Sequence, residues 1–415
     1  MKTTNTNKVL LAYSGGLDTS TILQWLIEKG YEVVCYVADV GQKDDFDSVK
    51  TKALQNGAKE VYIDDLKEEF LKDCVLPALK ANAKYEGEYL LGTALARPLI
   101  AKKQIELAQK LGIDTVSHGA TGKGNDQVRF ELTYYQFYPE VKVIAPWKDE
   151  EFLNKFQGRL DMMTYCKEKG IEIEATIKKP YSMDENLLHT SYESGMLEEI
   201  WEEKDYNEIV KDFNLPKDAP DKIYKLKIKF ENGIPTEVID FQTEKTYHGL
   251  LNIFNFLNKI GSQNGIGMID IVESRFVGMK SRGIYITPAG TLLWKAHKHL
   301  EMITLDKEVI NLKEMFTPKY CQIIYNGFWF APEMEAMNAF MESTQKYVNG
   351  EVKLNLYKGN ITVVGTKSDN SLYSSETVSM DVHGDYDQKD ADGFIIINAL
   401  RLKKYTLANK FGGEK

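Results

Sequence analysis

One short segment, Lys8–Ser20, constrains the fold more than any other part of the sequence. It reads KVLLAYSGGLDTS, so an apolar run passes into a turn of small and hydroxyl-bearing residues, and a helical pattern follows. Gly15 and Gly16 allow the backbone to approach a ligand closely, and the first N–H groups of a helix point at an anion bound in front of it. Asp18 can cap that helix or help to hold a metal ion. The segment therefore predicts a strand, a phosphate-binding turn and a helix.

The kind of phosphate chemistry depends on what the turn lacks. It contains neither the G-x-x-x-x-G-K-[ST] of a P-loop nor the G-x-G-x-x-G of a dinucleotide site. An ordinary strand, turn and helix with a glycine pair is the alternative interpretation. The pattern S-G-G-x-D-[ST]-S resembles the loop of the ATP-pyrophosphatase enzymes. This resemblance implies that pyrophosphate binds in the turn and that the α-phosphorus of ATP is attacked, which gives an adenylated intermediate.

Composition and length narrow the class of protein. With 415 residues and 43% apolar composition, the chain can bury a large core and is expected to form two or three domains. A net charge of -9 argues against a general nucleic-acid binder. The four cysteines form no C-x-x-C pair and are predicted to be reduced, packed thiols. Residues 1–7 are polar and no apolar run approaches the roughly 20 residues of a membrane span, so a cytoplasmic location is predicted.

The first part of the chain alternates strand-like and helix-like segments, which is typical of a parallel sheet covered by helices. A helix is predicted to begin near Arg97-Pro98, because proline suits a first turn, and to end at Gly112. Ligands of such sheets bind at the carboxyl ends of the strands, so we expect the loops after the first, second and fourth strands to converge. The predicted strands are Lys8–Tyr13, Glu32–Asp39, Glu60–Ile63, Asp114–His118 and Val141–Ala145.

The loop after the fourth predicted strand carries polar residues suited to a small zwitterion. Three glycines lie within residues 119–124, and Thr121, Asn125, Asp126 and Arg129 offer hydrogen-bond donors and acceptors. A mobile surface loop is the alternative, because glycine-rich loops are common. The position of the loop at the end of a strand favours a binding site.

The alternating pattern ends between about Lys169 and Thr176, which indicates a second domain. Amphipathic helices are predicted over Leu250–Leu257 and Pro288–Ile303. Strands are predicted near residues 223–230, 352–356 and 361–364. The segment Gly393–Lys410 starts apolar and becomes basic, and it predicts a terminal helix that packs on other parts of the protein.

Five blocks of the sequence together resemble the argininosuccinate synthase family. They are Ala12–Ser20, Glu88–Pro98, Ser117–Glu131, Tyr181–Leu187 and Ile269–Tyr285. The resemblance covers nearly the whole chain and implies an α/β fold. Residues 1–170 are expected to form a parallel-sheet nucleotide-binding domain of the ATP-pyrophosphatase, or adenine nucleotide alpha hydrolase-like, type. An α+β synthetase and multimerisation domain is expected over residues 171–365, with a C-terminal arm and oligomerisation helix over residues 366–415.

The resemblance implies a ligase that joins citrulline to aspartate in arginine biosynthesis, with ATP converted to AMP and pyrophosphate. The ureido oxygen of citrulline would attack the α-phosphorus to give citrullyl-adenylate, and the aspartate amine would then displace AMP. Mg²⁺ is expected on the ATP phosphates, with no protein metal site assigned. A homotetramer is expected from the resemblance, and neither nucleic acid nor a membrane is expected as a partner.

The resemblance also implies roles for individual positions. Residues expected to lie against ATP are Ala12, Tyr13, Ser14, Gly15, Gly16, Leu17, Asp18, Thr19, Ser20, Ala38 and Gly119. Those expected to bind aspartate are Thr121, Asn125 and Asp126. Those expected to bind citrulline are Tyr89, Thr93, Asn125, Arg129, Ser182, Ser191, Glu273 and Tyr285. No residue is identified as an obligatory general base, and Asp126 and Arg129 are the best candidates for positioning the substrates.

One position departs from the family pattern. Ala94 stands where some members carry a citrulline-binding serine, so the neighbouring Thr93 is taken as the source of a hydroxyl. His118, at a strand end, fits either proton transfer or a structural hydrogen bond.

Two other functions remain as alternatives. A tRNA-modifying enzyme of the same loop superfamily would need a reactive cysteine near the loop and a basic strip with aromatic residues. Cys35 instead falls within a predicted strand, and the chain is acidic. A non-catalytic nucleotide-binding regulator is disfavoured because Asp126 and Arg129 are both present.

Overall fold

The structure, a computed structural model, describes residues 7–172, 181–375 and 387–411. It divides into a larger unit within residues 1–370 and a smaller unit within residues 371–415, and each is described by itself. Residues 1–6 of the polar N-terminal segment 1–7 lie outside the described residues. Half of the segment Lys169–Thr176, where the sequence pattern changes, also lies outside them.

The larger unit begins with a five-stranded parallel sheet of order β3-β2-β1-β4-β5. Six consecutive residues of β2 are buried, as expected for a strand that helices cover on both faces. The parallel sheet and its five predicted strands are confirmed. The strands are β1 (Lys8–Ala12), β2 (Glu32–Asp39), β3 (Glu60–Asp65), β4 (Thr115–Ser117) and β5 (Lys142–Ile144).

Helices connect and cover this sheet. A π-helical turn at Phe70–Val75 joins the short helices α3 and α4. The helices are α1 (Leu17–Glu28), α2 (Phe46–Gln55), α3 (Lys67–Glu69), α4 (Leu76–Lys80), α5 (Gly92–Leu111), α6 (Asp126–Phe137), α7 (Glu150–Lys155) and α8 (Arg159–Glu168).

The junction between β1 and β4 is the place where the strand order reverses. The chain runs from β1 to β2 and β3 on one side, and β4 and β5 lie on the other side. The buried amide of Gln104, on α5, donates to the carbonyl oxygens of Leu10 (2.8 Å) and Ser117 (3.0 Å), one from each strand. Open α/β sheets bind ligands at such a reversal, so we expect a ligand to bind at the carboxyl ends of β1 and β4.

The predicted start of α5 is wrong. The helix begins at Gly92, directly after Leu91 in the left-handed conformation, and Pro98 lies in its second turn. Proline suits a first turn, but a helix accepts it further in where packing outweighs one lost backbone hydrogen bond. Here Leu95, Pro98 and Leu99 are all buried, and this apolar packing holds the helix across the proline.

Two antiparallel sheets form the rest of the larger unit, one of order β11-β12-β7-β6 and one of order β10-β9-β8-β13-β14. Leu226, Ile228 and Phe230 alternate along β8 and are fully buried, so one face of this sheet packs on the core. The strands are β6 (Ser182–Glu185), β7 (Thr190–Glu193), β8 (Tyr224–Glu231), β9 (Ile234–Asp240), β10 (Lys245–His248), β11 (Met268–Ser274), β12 (Lys280–Ile286), β13 (Gly350–Tyr357) and β14 (Asn360–Lys367).

Helices pack on these sheets, and the two predicted amphipathic helices of this part, α10 and α11, are confirmed. The helices are α9 (Tyr206–Ile209), α10 (Leu250–Gln263), α11 (Pro288–Thr304), α12 (Lys307–Tyr325) and α13 (Pro332–Ser343). One hydrophobic cluster contains Leu10 of β1, Leu95 of α5 and Ile228 of β8. The parallel sheet and the antiparallel sheets of this unit therefore share a core.

In the part of the smaller unit that the structure describes, α14 (Asp390–Phe411) is a helix of 22 residues, where the sequence predicts a terminal helix. Its first half exposes large apolar side chains, with Phe394 70% and Ile397 68% exposed, and Tyr405 further along is 72% exposed. Among the described residues, no helix is long and apolar enough to cross a membrane.

Candidate functional site

The turn between β1 and α1 is built by its own hydroxyl groups. The Ser14 hydroxyl lies 3.1 Å from that of Thr19, and the Gly16 N–H donates to Ser14 Oγ at 3.4 Å. Gly15 has φ +75°, and a Cβ there would lie 3.2 Å from the Val49 side chain, so glycine is required for conformation and space. Ser14 and Gly16 are exposed, and α1 begins directly behind them. The turn is therefore open at the N-terminus of a 12-residue helix.

Other side chains of this segment are buried in the core and anchor the turn. Tyr13, Leu17 and Ser20 are buried, and the Tyr13 and Ser20 hydroxyls lie 3.1 Å apart. These three residues can face a nucleotide only through their backbone. Burial raises the pKa of Asp18, which lies in the first turn of α1 and is not its N-cap.

Of the two loops predicted to converge on this turn, the loop after β4 contacts it. Ala38 lies near the end of β2, and its carbonyl accepts a hydrogen bond from the Gln42 side chain of its own loop at 2.8 Å. A Cβ on Gly119 would lie 3.0 Å from Thr19 Cγ2, so the loop after β4 touches the start of α1. His118 is fully buried. It accepts from the Ala120 N–H (3.2 Å) on Nδ1 and contacts Glu131 (3.1 Å) through Nε2, which matches the structural alternative.

The same loop leads to a carboxylate held by two arginines. Asp126, at the start of α6, accepts from Arg97 Nε (2.9 Å) and from Arg129 Nη1 (2.7 Å). Burial alone would raise the pKa of Asp126, but the two guanidinium groups outweigh it and lower the pKa. Asp126 is therefore a fixed anion, in the segment that follows the loop after β4.

Arg97 extends this pair into a longer chain of hydrogen bonds. Its Nη2 lies 2.9 Å from Asp184 Oδ1 on β6. The Thr93 hydroxyl donates to Asp184 Oδ2 at 3.0 Å, and the same hydroxyl lies 2.9 Å from His189 Nε2. Residues of α5, α6 and the β6–β7 hairpin are thus held together by one polar network.

Arg129 is bound by the protein on more than one side. Its Nε and Nη2 donate to the Tyr325 carbonyl at 3.1 and 2.8 Å, and its Nη1 donates to Asp126. Gly327 makes room for this residue, because a Cβ there would lie 2.9 Å from Arg129 Cα. Arg129, which was expected to bind citrulline, therefore uses two of its nitrogens on a backbone carbonyl, and only the remaining guanidinium protons are left for a ligand.

Glu273, on β11, lies at the other end of Tyr325. The Tyr325 hydroxyl donates to Glu273 Oε1 at 2.8 Å, whereas Oε2 has no hydrogen-bond partner among the described residues. Burial raises the pKa of Glu273, and the Tyr325 hydroxyl and the Arg129 guanidinium offset this only in part. A buried carboxylate with a free oxygen can accept a cationic group of a ligand.

Aromatic rings surround this carboxylate. Tyr89 stacks on Tyr285 with ring centroids 4.2 Å apart, and Tyr85 stacks on Tyr325 at 3.7 Å. The Tyr85 hydroxyl donates to the Ser274 carbonyl at 2.7 Å, next to Glu273. The stacked aromatic rings therefore form apolar, rigid surroundings for the Glu273 carboxylate.

The remaining predicted residues lie on the surrounding strands and loops. Ser191 is buried on β7 and is paired with Tyr285 across the sheet, whereas Ser182 is exposed on β6. Asn125 Oδ1 accepts from the Phe276 N–H at 3.0 Å and ties the loop after β4 to the β11–β12 turn. Thr121 is exposed in that same loop.

A further carboxyl group, Glu193, adds to the negative charge of the site. The pKa of Glu193 is raised to about 7, because burial and the neighbouring carboxylates of Glu273, Asp126 and Asp184 together outweigh the lowering effect of Arg275, which lies 2.8 Å away. Four carboxyl groups therefore share this region with three arginines, which suits ligands that bring positively charged groups.

The sequence interpretation assigned no role to several members of this site. They are Tyr85, Arg97, Asp184, His189, Glu193, Arg275 and Tyr325. Arg97 could have been noticed, because it is a charged residue in the apolar run LGTALARPLIA. Nothing in the sequence pairs it with Asp184, which lies on a strand of a different sheet.

All four cysteines are buried and free. Cys35 is fully buried on β2, and burial raises the pKa of its thiol. A buried thiol of raised pKa is a poor nucleophile, so the tRNA-modifying alternative is not favoured.

Comparisons with known proteins agree with the sequence resemblance. Residues 8–172 match the family model described as the arginosuccinate synthase N-terminal HUP domain, and residues 181–405 match that of the arginosuccinate synthase C-terminal domain. An argininosuccinate synthase of Thermotoga sp. (strain RQ2) is 55% identical over 408 residues, which is 97% of this chain and 98% of that protein. The argininosuccinate synthase of Danio rerio is 52% identical over 96% of both chains, and that of Bos taurus is 50% identical over 97% of this chain and 98% of the relative.

Proposed function

The chain belongs to the argininosuccinate synthase family and is a ligase, and we propose that it joins citrulline to aspartate while ATP is cleaved to AMP and pyrophosphate. The observation that carries the proposal is the contact between Gly119 and Thr19. It puts the loop that leads to Asp126 directly beside the phosphate-binding turn. A reaction between an amino acid and the α-phosphorus of ATP needs these two sites to be adjacent.

In the first step, the ureido oxygen of citrulline attacks the α-phosphorus. An oxygen–phosphorus bond forms, the bond between the α-phosphorus and the bridging oxygen breaks, and pyrophosphate leaves with the electron pair. The free N–H groups at the start of α1 and the exposed Ser14 hydroxyl are the groups that stabilise the negative charge of the leaving pyrophosphate.

In the second step, the aspartate amine attacks the ureido carbon of citrullyl-adenylate. A carbon–nitrogen bond forms, AMP leaves, and the amine loses a proton. Asp126 supports this step as a fixed anion that holds the aspartate amine through a charge-assisted hydrogen bond, while Arg97 and Arg129 keep its carboxylate in place. With Asp126 held ionised between two guanidiniums, its task is positioning, and no side chain is assigned as the general base.

Citrulline is assigned to the pocket around Glu273. The free Oε2 accepts the α-ammonium group, and the rings of Tyr89 and Tyr285 flank the aliphatic stem. Ser191, paired with Tyr285, and Ser182 complete the predicted citrulline set. Asn125, which bridges the two parts of the site, is assigned to both amino acids.

Mg²⁺ is proposed on the phosphates of ATP. Asp18 is the only carboxylate of the loop, and burial raises its pKa, so a nearby cation would favour its charged form. Mg²⁺ neutralises phosphate charge and orients the chain of phosphates for in-line attack. Among the described residues there is no cluster of three or more metal-binding side chains.

The domain and assembly assignments are proposals as well. We propose that residues 1–170 form the ATP-binding domain, residues 171–365 the synthetase and multimerisation domain, and residues 366–415 the C-terminal oligomerisation arm and helix. The exposed apolar side chains of α14 support its use as a subunit contact in a homotetramer. A cytoplasmic location stays a prediction.

Release of pyrophosphate and AMP from MgATP, with each amino acid omitted in turn, tests the function. We expect AMP and pyrophosphate in equal amounts, and full turnover only when citrulline and aspartate are both present. Release that does not depend on citrulline would contradict the proposal, because the nucleophile would then be another group.

A further inference from the structure

The hydrogen-bond chain that begins at Asp126 ends at a buried histidine. It runs through Arg97, Asp184 and Thr93 to His189, with links of 2.9, 2.9, 3.0 and 2.9 Å. His189 is 2% exposed, and its place in the chain suggests that it acts on Asp126 from a distance. The question is which atom donates each proton.

The carboxylate of Asp184 fixes the direction of the chain. It is paired with the guanidinium of Arg97, so it can only accept hydrogen bonds. The single proton of the Thr93 hydroxyl is therefore donated to Asp184. The contact between Thr93 and His189 Nε2 is then a hydrogen bond only if Nε2 carries a proton and donates it to the Thr93 oxygen.

The other ring nitrogen agrees with this assignment. His189 Nδ1 is buried and has no hydrogen-bond partner among the described residues. An unpaired acceptor is tolerated inside a protein better than an unpaired N–H donor, so Nδ1 is the nitrogen without a proton. Burial lowers the pKa of His189 to about 4, which keeps the ring neutral at physiological pH.

The position of the ring is fixed by its neighbours. It lies parallel to Tyr285, with an interplanar angle of 8° and centroids 5.8 Å apart, and it stacks on Tyr89 at 6.0 Å. A Cβ on Gly92 would lie 2.5 Å from the ring, so only glycine leaves space for it there. The backbone N–H of His189 is held by Asn186 Oδ1 at 3.2 Å.

We propose that His189 is a positioning residue for aspartate: as a neutral imidazole protonated on Nε2, it orients the Thr93 hydroxyl toward Asp184 and thereby fixes Arg97 and the Asp126 carboxylate. This inference rests on the proposed role of Asp126 in aspartate binding. The stacked face of the ring supports the citrulline pocket, and its Nε2–H supports the aspartate site. The two contributions can be separated by substitution.

Two variants test the separation. His189→Phe keeps a flat ring against Tyr285 and removes the donor, so the KM for aspartate is expected to rise about tenfold with the KM for citrulline within about twofold of wild type. His189→Gln keeps an N–H donor at the distance of Nε2 and removes the ring, so the KM for citrulline should rise more than that for aspartate. Equal effects on both substrates in both variants, or an unchanged aspartate KM in His189→Phe, would overturn the proposal.

The protonation state is measured independently of activity. The sequence has six histidines, and ring nitrogen spectra of the ¹⁵N-histidine-labelled protein near pH 7 distinguish protonated from bare nitrogens. The His189 signals are assigned from their loss in His189→Gln, or in His189→Phe should only that variant fold. A proton on Nε2 alone is expected, and a proton on Nδ1 would overturn the proposal. If the wild-type enzyme releases pyrophosphate without citrulline, the proposed function fails, whereas this spectrum still decides the direction of the chain.

Discussion

Replacing Glu273 with glutamine should weaken the use of citrulline and, at the same time, stabilise the empty enzyme. Glu273 is 5% exposed, and its Oε2 has no hydrogen-bond partner among the described residues. Burial raises its pKa in the folded state. The stability that this group contributes is therefore complete below its unfolded pKa of about 4.3 and is lost as the pH rises through the folded pKa. Above that pH, the carboxylate is a cost that a bound ammonium group would offset.

The two effects have magnitudes that can be compared. A buried neutral polar group without a partner costs about 1–3 kcal/mol and a buried charge without one costs more, so replacing the charged carboxylate by the neutral amide should raise the melting temperature by a few degrees at pH 8. A hydrogen bond to a charged group contributes about 1.5–3 kcal/mol, so kcat/KM for citrulline should fall about 10- to 150-fold. KM for ATP should change little, because the phosphate-binding turn lies on β1 and α1.

Thermal unfolding at pH 5 and pH 8, together with steady-state kinetics, measures both effects. The gain in melting temperature should be larger at pH 8 than at pH 5. Tyr325→Phe is the matched control: it keeps the ring stacked on Tyr85 but removes the hydrogen bond that the Tyr325 hydroxyl donates to Glu273, so its melting temperature should fall at pH 8. A lower melting temperature in Glu273→Gln, or an unchanged kcat/KM for citrulline, would refute the reasoning.

Three further predictions follow from other parts of the chain. Asp126→Ala should raise the KM for aspartate at least about tenfold and leave ATP affinity within about twofold, as measured by kinetics and equilibrium binding; weaker ATP binding with unchanged aspartate dependence would contradict it. The pKa of Glu193 is raised to about 7, so the stability that its carboxyl group contributes is lost between about pH 4.5 and 7. The melting temperature of the wild-type protein should therefore fall over this range, and Glu193→Gln should remove the part of the fall that is due to Glu193. Truncation after Asp392 should convert the proposed homotetramer to smaller species in light scattering, and a truncated chain that still forms a tetramer would show that α14 is not needed.

The fold was largely predictable because its signals are local. The apolar run Glu32–Asp39 coincides with β2, since a strand covered on both faces has to be apolar throughout. The start of α5 was not predictable by the same rules. Pro98 indicates a first turn in an isolated sequence, but the packing of Leu95 and Leu99 extends the helix back to Gly92. Tertiary contacts decide such a boundary, and a local pattern does not contain them.

The site was predictable in its residue types and less so in its connections. Asp126 and Arg129 were both expected in the site because they belong to the polar segment after the fourth predicted strand, and the structure places them one helical turn apart on α6. Arg97 is in a quoted block, yet its partners Asp126 and Asp184 come from another helix and another sheet. A guanidinium without a visible partner in sequence carries no assignable role, so the network around Asp126 became visible only in three dimensions.

The hydrogen-bond partners of Thr93 limit what its hydroxyl can do for a ligand. Thr93 was expected to supply the hydroxyl that is missing at position 94, where some family members have serine and this chain has alanine. Ala94 is fully buried. The one proton of the Thr93 hydroxyl is donated to Asp184, and one lone pair of its oxygen accepts from His189. One lone pair remains, so Thr93 can serve citrulline only as an acceptor. A ligand N–H beside the Thr93 oxygen would form a hydrogen bond with it, whereas a ligand carbonyl or carboxylate oxygen would find no donor there. The Thr93 hydroxyl can therefore bind the ureido nitrogen of citrulline but not its carboxylate.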